Sequence, residues 1–408
     1  MVQKPHTARV DRRARRRMIR NAADKRLHVV ARLHRIFGFL TIAAAILFFA
    51  ANMSLFSKES LRQIGTYLTA GFSAGQAGDR IEYEAGNSAA ILPFGDGVAV
   101  ADNDNLVLKT PGGTQLTEPL GYSSPELCVN DRYVLVYDRE GSSAVLTSSM
   151  LVASRQKLES PILSGCLGDS GDYALITNET GYKSAVTVFS SGGKQIFKWA
   201  TPDAYFQAAA LSPDGKGLAV AAFQQTGTEL EGKLYFRDLD SEKIISEVSL
   251  GSVVPLAVGY LDGSTVAVVG DYSTSIINRK GEIITTISYS VDDLNAYCFG
   301  GGKLALAIHS YSGQARSELT ILEASGAQSE PLAIEEELQA IDYDGARLAL
   351  LTSSGLTVYD SALRPLWANT SAAGAGGVGL TGDGGVWLTY PKQATFVSAA
   401  SDTSEELK

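Results

Sequence analysis

The sequence predicts an all-β fold, an eight-bladed β-propeller, set behind one N-terminal transmembrane helix. Three observations carry this reading. Residues 36–53 contain no formally charged side chain. From Asp79 onward, short β-type runs alternate with Gly, Asp and Asn turns, and no useful helical stretch returns. Those runs recur every 37 to 47 residues, the period of a four-stranded propeller blade.

The charge divides the chain in two. Residues 1–35 hold twelve Lys or Arg against Asp11 and Asp24, a balance of +10. Residues 54–408 hold 23 basic and 42 acidic residues, a balance of −19, so the overall −9 averages two opposite parts. As a helix, Ile36–Met53 would rise roughly 27 Å, close to the thickness of a bilayer's hydrocarbon core. A short basic flank stays on the cytoplasmic side, so the expected orientation is N-terminus inside and residues 54–408 outside. A cleavable signal peptide is the rival reading, but its apolar core normally runs only about 7–15 residues. The expected location is thus the cell membrane, single-pass, with the propeller extracytoplasmic.

The expected organisation follows the chain. Residues 1–35 form a basic cytoplasmic tail in which Arg12, Arg13, Arg15, Arg16, Arg17 and Arg20 lie near Met18 and Ile19. That mixture suits either topology setting or contact with anionic lipid. A basic run alone carries no base-reading element, so nucleic acid is not an expected partner. Residues 36–53 are the span. Residues 54–78 hold a short amphipathic helix, with Leu61, Ile64 and Leu68 on one face, and a Gly-rich linker. Residues 79–400 are the propeller and 401–408 a polar tail.

Within 79–400, repeat units begin near residues 88, 125, 162, 205, 252, 294, 337 and 376. Each has an apolar inner run, a turn and a second apolar run, most regular in Ala210–Val220. Third strands are legible at Asn105–Leu108, Tyr235–Asp238, Ser275–Asn278 and Leu356–Asp360, and a fourth at 281–287. The eighth unit has room for only three strands, while Asp79–Glu84 is a spare β-type run. Ile81 and Tyr83 alternate there with Arg80, Glu82 and Glu84, which predicts one packed and one wet face. Pairing this run with the eighth unit closes the ring and removes an open edge. Eight blades follow, or seven if one divergent unit is misdivided.

The run Ser212-Pro213-Asp214-Gly215-Lys216, followed by Leu218-Ala219-Val220, resembles the inner hairpin of WD40-like and quinoprotein-like propellers. Gly193-Lys194-Gln195-Ile196-Phe197-Lys198-Trp199 is similar to the fourth strand of quinoprotein-type blades. The whole layout is similar to an uncharacterised family of single-pass membrane propeller proteins of Gram-positive bacteria. These motifs are structural, and the resemblance implies no assigned reaction.

A quinoprotein-like enzyme on the same fold is the alternative. It would need a carboxylate, metal ligands and a stacking aromatic converging on the channel, with Trp in most blades. Only Trp199, Trp367 and Trp387 occur. The abundant Asp residues sit in turns, where side-chain hydrogen bonding explains them. Beyond residue 54 there is one histidine, His309, too few for a histidine-rich zinc site. No catalytic, cofactor-binding or metal-ligating residue is singled out, and the expectation is a non-enzymatic binding, scaffold or sensing module for an unknown extracytoplasmic protein or ligand. Cys128, Cys166 and Cys298 all fall in inner runs, as expected of small buried thiols; a Cys128–Cys166 redox pair is the sharper alternative. Glu335-Glu336-Glu337 reads as a solvated loop or an electrostatic patch for a basic partner. Asn178-Glu179-Thr180 and Asn369-Thr370-Ser371 match the glycosylation acceptor pattern, which is without meaning in a bacterial chain.

Overall fold

Eight four-stranded antiparallel sheets follow one another along the chain of the computed structural model. The structure describes residues 78–84, 89–241, 243–310 and 316–399. All of them belong to the second of two units of the chain, Thr66–Lys408. Blades 1 to 8 begin their inner strands at residues 90, 125, 162, 205, 255, 294, 338 and 377. These starts lie within three residues of the repeat read from the sequence. Among the described residues no helix is long and apolar enough to cross a membrane. The expected span Ile36–Met53, the basic tail, the juxtamembrane helix and the polar tail all lie outside the described residues.

The period is legible because of how a blade is buried. Second and third strands are covered on both faces by the neighbouring blades, so they read as continuous apolar runs, as in Tyr173–Thr177 and Thr265–Gly270. The core is correspondingly divided into eight clusters, each shared by two adjacent blades. Asx turns link the first two strands: the side chains of Asn130, Asp262 and Asp344 each accept backbone N–H groups two and three residues on, at 2.7–2.9 Å.

Ring closure takes the predicted form. Arg80–Glu82 pairs antiparallel with Gln393–Val397 as the outer strand of blade 8, with Ile81 opposite Ala394. Ile81 and Tyr83 are buried while Arg80, Glu82 and Glu84 are exposed. The Tyr83 hydroxyl reaches the carbonyls of Tyr390 and Gln393 at 2.6 and 2.7 Å. Ile81 and Tyr83 pack with Trp387 and Phe396 of blade 8 and with Val98 and Val100 of blade 1.

The meander gives the ring two unlike faces. Turns joining first to second and third to fourth strands lie on one, here the turn face. Second-to-third connections and the links between blades lie on the other, the loop face. Gly78, whose N–H meets the Phe396 carbonyl at 3.1 Å, enters on the turn face.

Candidate interaction surface

No candidate catalytic or ligand residue was expected, so the sites worth testing are those the fold itself creates. At the loop-face end of the inner strands, five consecutive blades share one irregularity. In blades 3 to 7 the pairing of first and second strands skips one residue: Leu163, Gln207, Leu256, Asn295 and Gln339. Blades 1, 2 and 8 pair without a break. A bulge of this kind frees a side chain from the ladder and re-aims it. Leu163, Gln207, Leu256 and Gln339 are exposed, and Asn295 is half-buried with its amide donating to Ser317 Oγ at 2.7 Å. Two leucines and three amides thus mark the mouth of the ring.

The surroundings of this arc are apolar and acidic together. Leu163, Tyr182, Tyr205, Leu230, Leu256, Tyr272 and Val291 are all exposed large apolar residues, and all lie on the loop face of blades 3 to 6. Blades 1, 2 and 8 carry none among the described residues. Tyr205 stacks on Phe223 at 5.3 Å between ring centroids, and Lys183 Nζ sits 5.0 Å from the Tyr205 ring centre. Glu159, Asp203, Glu229 and Asp292 are exposed on the same face and form no ion pair with a described residue. Glu335-Glu336-Glu337, the acidic run, is exposed in the blade 6 to 7 connection; Glu335 pairs with Arg316 at 2.9 Å, and Glu336 accepts hydrogen bonds from Thr352 and Ser354.

Blade 4 adds a projection. Its middle strands, Gly217–Thr226 and Glu229–Asp238, have ten residues each. The inner strand follows only to Phe223, and the outer strand only to Gly232. The tip therefore overhangs by about 10 Å at roughly 3.3 Å per residue.

The cysteines sit elsewhere, near the turn-face end of the inner strands. Cys128, Cys166 and Cys298 occupy one equivalent position, filled in blades 4, 5, 7 and 8 by Ala210, Gly259, Asp342 and Gly379 and in blade 1 by Leu92. Space explains the choice. A Cβ on Gly379 would come within 2.1 Å of Pro93, and one on Gly259 within 2.5 Å of Phe299. All three cysteines are free thiols, so the Cys128–Cys166 disulfide is not formed. Burial pushes each thiol up to about 12, with Cys166 and Glu126 adding to the effect at Cys128. Asp342 is the exception in this ring. Its carboxylate accepts the Leu380 N–H of blade 8 at 2.7 Å and faces Cys298 Sγ of blade 6 at 3.6 Å, and burial raises its pKa despite the Leu380 bond.

His309 ends its strand, as expected, and its Nδ1 lies 3.2 Å from Ser317 Oγ. Ser317 is wholly buried and shared with Asn295, so this hydroxyl is not presented to solvent. Trp199, in a fourth strand, packs against Phe206, Tyr235 and the Arg237 guanidinium of the next blade, a structural use of the quinoprotein-like motif. Asn369, of the second glycosylation pattern, caps a short 3₁₀ turn by accepting the Ser371 N–H.

A family match covers residues 72–364, most of the chain and the ring up to the third strand of blade 7. The chain belongs to the Family of unknown function (DUF5711). No curated protein matches it. Among solved structures it is similar to BamB from Moraxella catarrhalis, with 10% identity over 79% of this chain and 98% of that one, at a TM-score of 0.52. It is also similar to Saccharomyces cerevisiae Sqt1, with 9% identity over 79% of this chain and 99% of that one, at a TM-score of 0.54. At such identities the likeness is one of fold. This family member is a β-propeller; its partner is a question for the surface above.

Proposed function

We propose that the protein is a membrane-anchored, extracytoplasmic binding or scaffold module that engages a protein partner through the loop face of blades 3 to 6. The observation that carries the reading is the segregation of exposed apolar residues. Seven of them gather with unpaired acids on one arc of one face, whereas isolated exposed apolar residues need no explanation. Bulges at the same end of five inner strands make this arc unlike the rest of the ring. Ile36–Met53 and the +10 and −19 flanks support the anchor and its orientation. A rigid ring displaying variable loops suits binding rather than catalysis. The chain enters on the turn face, which leaves the loop face free of chain ends.

Position-specific photocrosslinking in living cells tests this. A photoreactive residue at Tyr182, Leu256 or Tyr272 should capture one and the same protein, and Leu256→Asp should abolish capture from Tyr272. A probe at Asp131, on the turn face of blade 2, should not capture it. Equal capture from Asp131, or capture indifferent to Leu256→Asp, would remove the loop face as the binding surface.

A further inference from the structure

The loop-face arc of blades 3 to 6 is unevenly charged once its ion pairs are taken out. Among the described residues its connections hold four cations, Lys157, Lys183, Lys233 and Arg316, and each is already engaged. Lys157 donates to Ser143 Oγ at 3.2 Å and Lys183 to the Asp203 carbonyl at 3.2 Å. Lys233 sits 3.1 Å from both Glu231 and Glu247, and Arg316 lies 2.9 Å from Glu335. Glu159, Asp203, Glu229 and Asp292 are exposed and have no such partner among the described residues. The acidic run Glu335-Glu336-Glu337 counts for less than its sequence suggests, since Glu335 and Glu336 are both occupied.

The unpaired carboxylates are interleaved with the apolar residues. Asp203 is two positions from Tyr205, Glu229 stands beside Leu230, and Asp292 beside Val291. The overhang of blade 4 carries Glu229 and Leu230 outward, paired with Thr226 and Gln225 at its tip. Tyr182 and Tyr272, 49% and 47% exposed, have no ring or cation contact among the described residues. Tyr205 shows what such a ring can hold, with the Lys183 ammonium 5.0 Å from its centre. The face of a tyrosine attracts an ammonium or guanidinium, and carboxylates close by add to that attraction. Leu163 and Leu256 require apolar contact from the same partner.

Phosphate-bearing partners are repelled by these carboxylates, so neither nucleic acid nor an anionic bilayer suits the arc. Two copies meeting loop face to loop face would set like charges against each other.

We propose that the arc binds a cationic amphipathic segment of another protein, in which lysines or arginines alternate with aliphatic or aromatic residues. This partner class rests on the reading of the loop face as a protein-binding surface. The cations meet Asp203, Glu229 and Asp292, and the apolar side chains meet Leu163, Leu256 and the open tyrosine rings. Attraction between exposed charges is largely screened beyond about 8 Å at physiological salt, so binding weakens as salt rises.

Fluorescence anisotropy of the full-length protein in phosphatidylcholine nanodiscs tests the charge preference. The probe is a fluorescein-labelled peptide of about sixteen residues built from leucine, lysine and serine; its counterpart carries glutamate in place of lysine. The lysine peptide should bind, less tightly as salt rises, and the glutamate peptide should not. Asp203→Asn, Glu229→Gln and Asp292→Asn together should weaken binding tenfold or more, and Leu256→Ser at least threefold. Asp96→Asn, Asp131→Asn and Asp169→Asn together make the same charge change at exposed turn-face positions and should leave binding within twofold. Equal loss in the two triple variants, equal binding of the two peptides, or no binding of the lysine peptide would overturn the cationic partner. Photocapture at Tyr272 separates this from the wider reading. Capture that survives the loop-face triple variant keeps the binding surface and removes only its preference for cations.

Discussion

Replacing Ile81 by alanine probes the closure of the ring at one side chain. Ile81 is 4% exposed and packs against both blade 8 and blade 1, so its removal leaves a cavity at the seam without breaking the backbone pairing to Ala394. Truncations of this kind cost about 2–5 kcal/mol, and a value near 3 kcal/mol is expected because the packed strand cannot collapse freely. That is a large share of the roughly 5–15 kcal/mol that holds a typical domain together. At about 2 °C per kcal/mol for a domain of this size, the melting temperature should fall by about 6 °C. Leu366→Ala is the control: Leu366 lies on an outer strand of blade 7, is 53% exposed, and should cost less than about 0.5 kcal/mol. Circular dichroism melts of the full chain in detergent, with mass measured by light scattering, report both effects. A loosened seam should also expose the edge of Gln393–Val397 and promote self-association. If Ile81→Ala melts within a degree of the parent and stays monomeric, the three-residue strand is not what seals the ring.

Three further outcomes are expected. Ellman's reagent should find no reactive thiol in the folded protein at pH 8 and three after guanidinium unfolding, because burial holds all three cysteines up at about 12; rapid reaction of any one in the native state would contradict their packing. Asp342→Asn should stabilise the protein at pH 7.5. The native carboxyl binds its proton more tightly than the unfolded one, so stability falls as pH rises through the interval above its ordinary value of 3.8. The advantage of the amide, which still accepts the Leu380 N–H, should therefore shrink as the pH is lowered through that interval, and a pH-independent difference would refute the account. Protease added outside wall-stripped cells should release the propeller and spare the amino-terminal tail; protection of the propeller until the membrane is broken would reverse the proposed orientation.

The architecture was legible in the sequence because its signals are local. Asn130, Asp262 and Asp344 announce the inner turns by their own hydrogen bonds, and middle strands buried on both faces leave unbroken apolar runs between them. Even the closing strand showed itself, since five residues from Arg80 to Glu84 are enough to display the alternation. The binding arc was not legible. Whether Leu163 or Leu256 joins the ladder depends on a pairing skip of one residue, and the Pro255-Leu256-Ala257-Val258 run carries no Gly or polar side chain to mark it. The ten-residue strands of blade 4 left a trace in the long run Gly217–Thr226, but its overhang exists only because the flanking strands stop short.

The closure has a consequence for synthesis. Tyr83 waits for a carbonyl 307 positions further along the chain, at Tyr390. At the roughly 5–20 residues per second of translation, the first strand emerges about 15–60 seconds before its partner exists. Blades 1 to 7 are each complete within their own stretch of chain, but the ring is not sealed until Gln393–Val397 has been added. A chain that stops early keeps two unpaired edges, a frayed Arg80–Glu82 and an uncovered flank on its final blade. The last pairing is thereby a check on progress: only a polypeptide that extends through Gln393–Val397 can hide both edges of this sheet from proteases that read open strands.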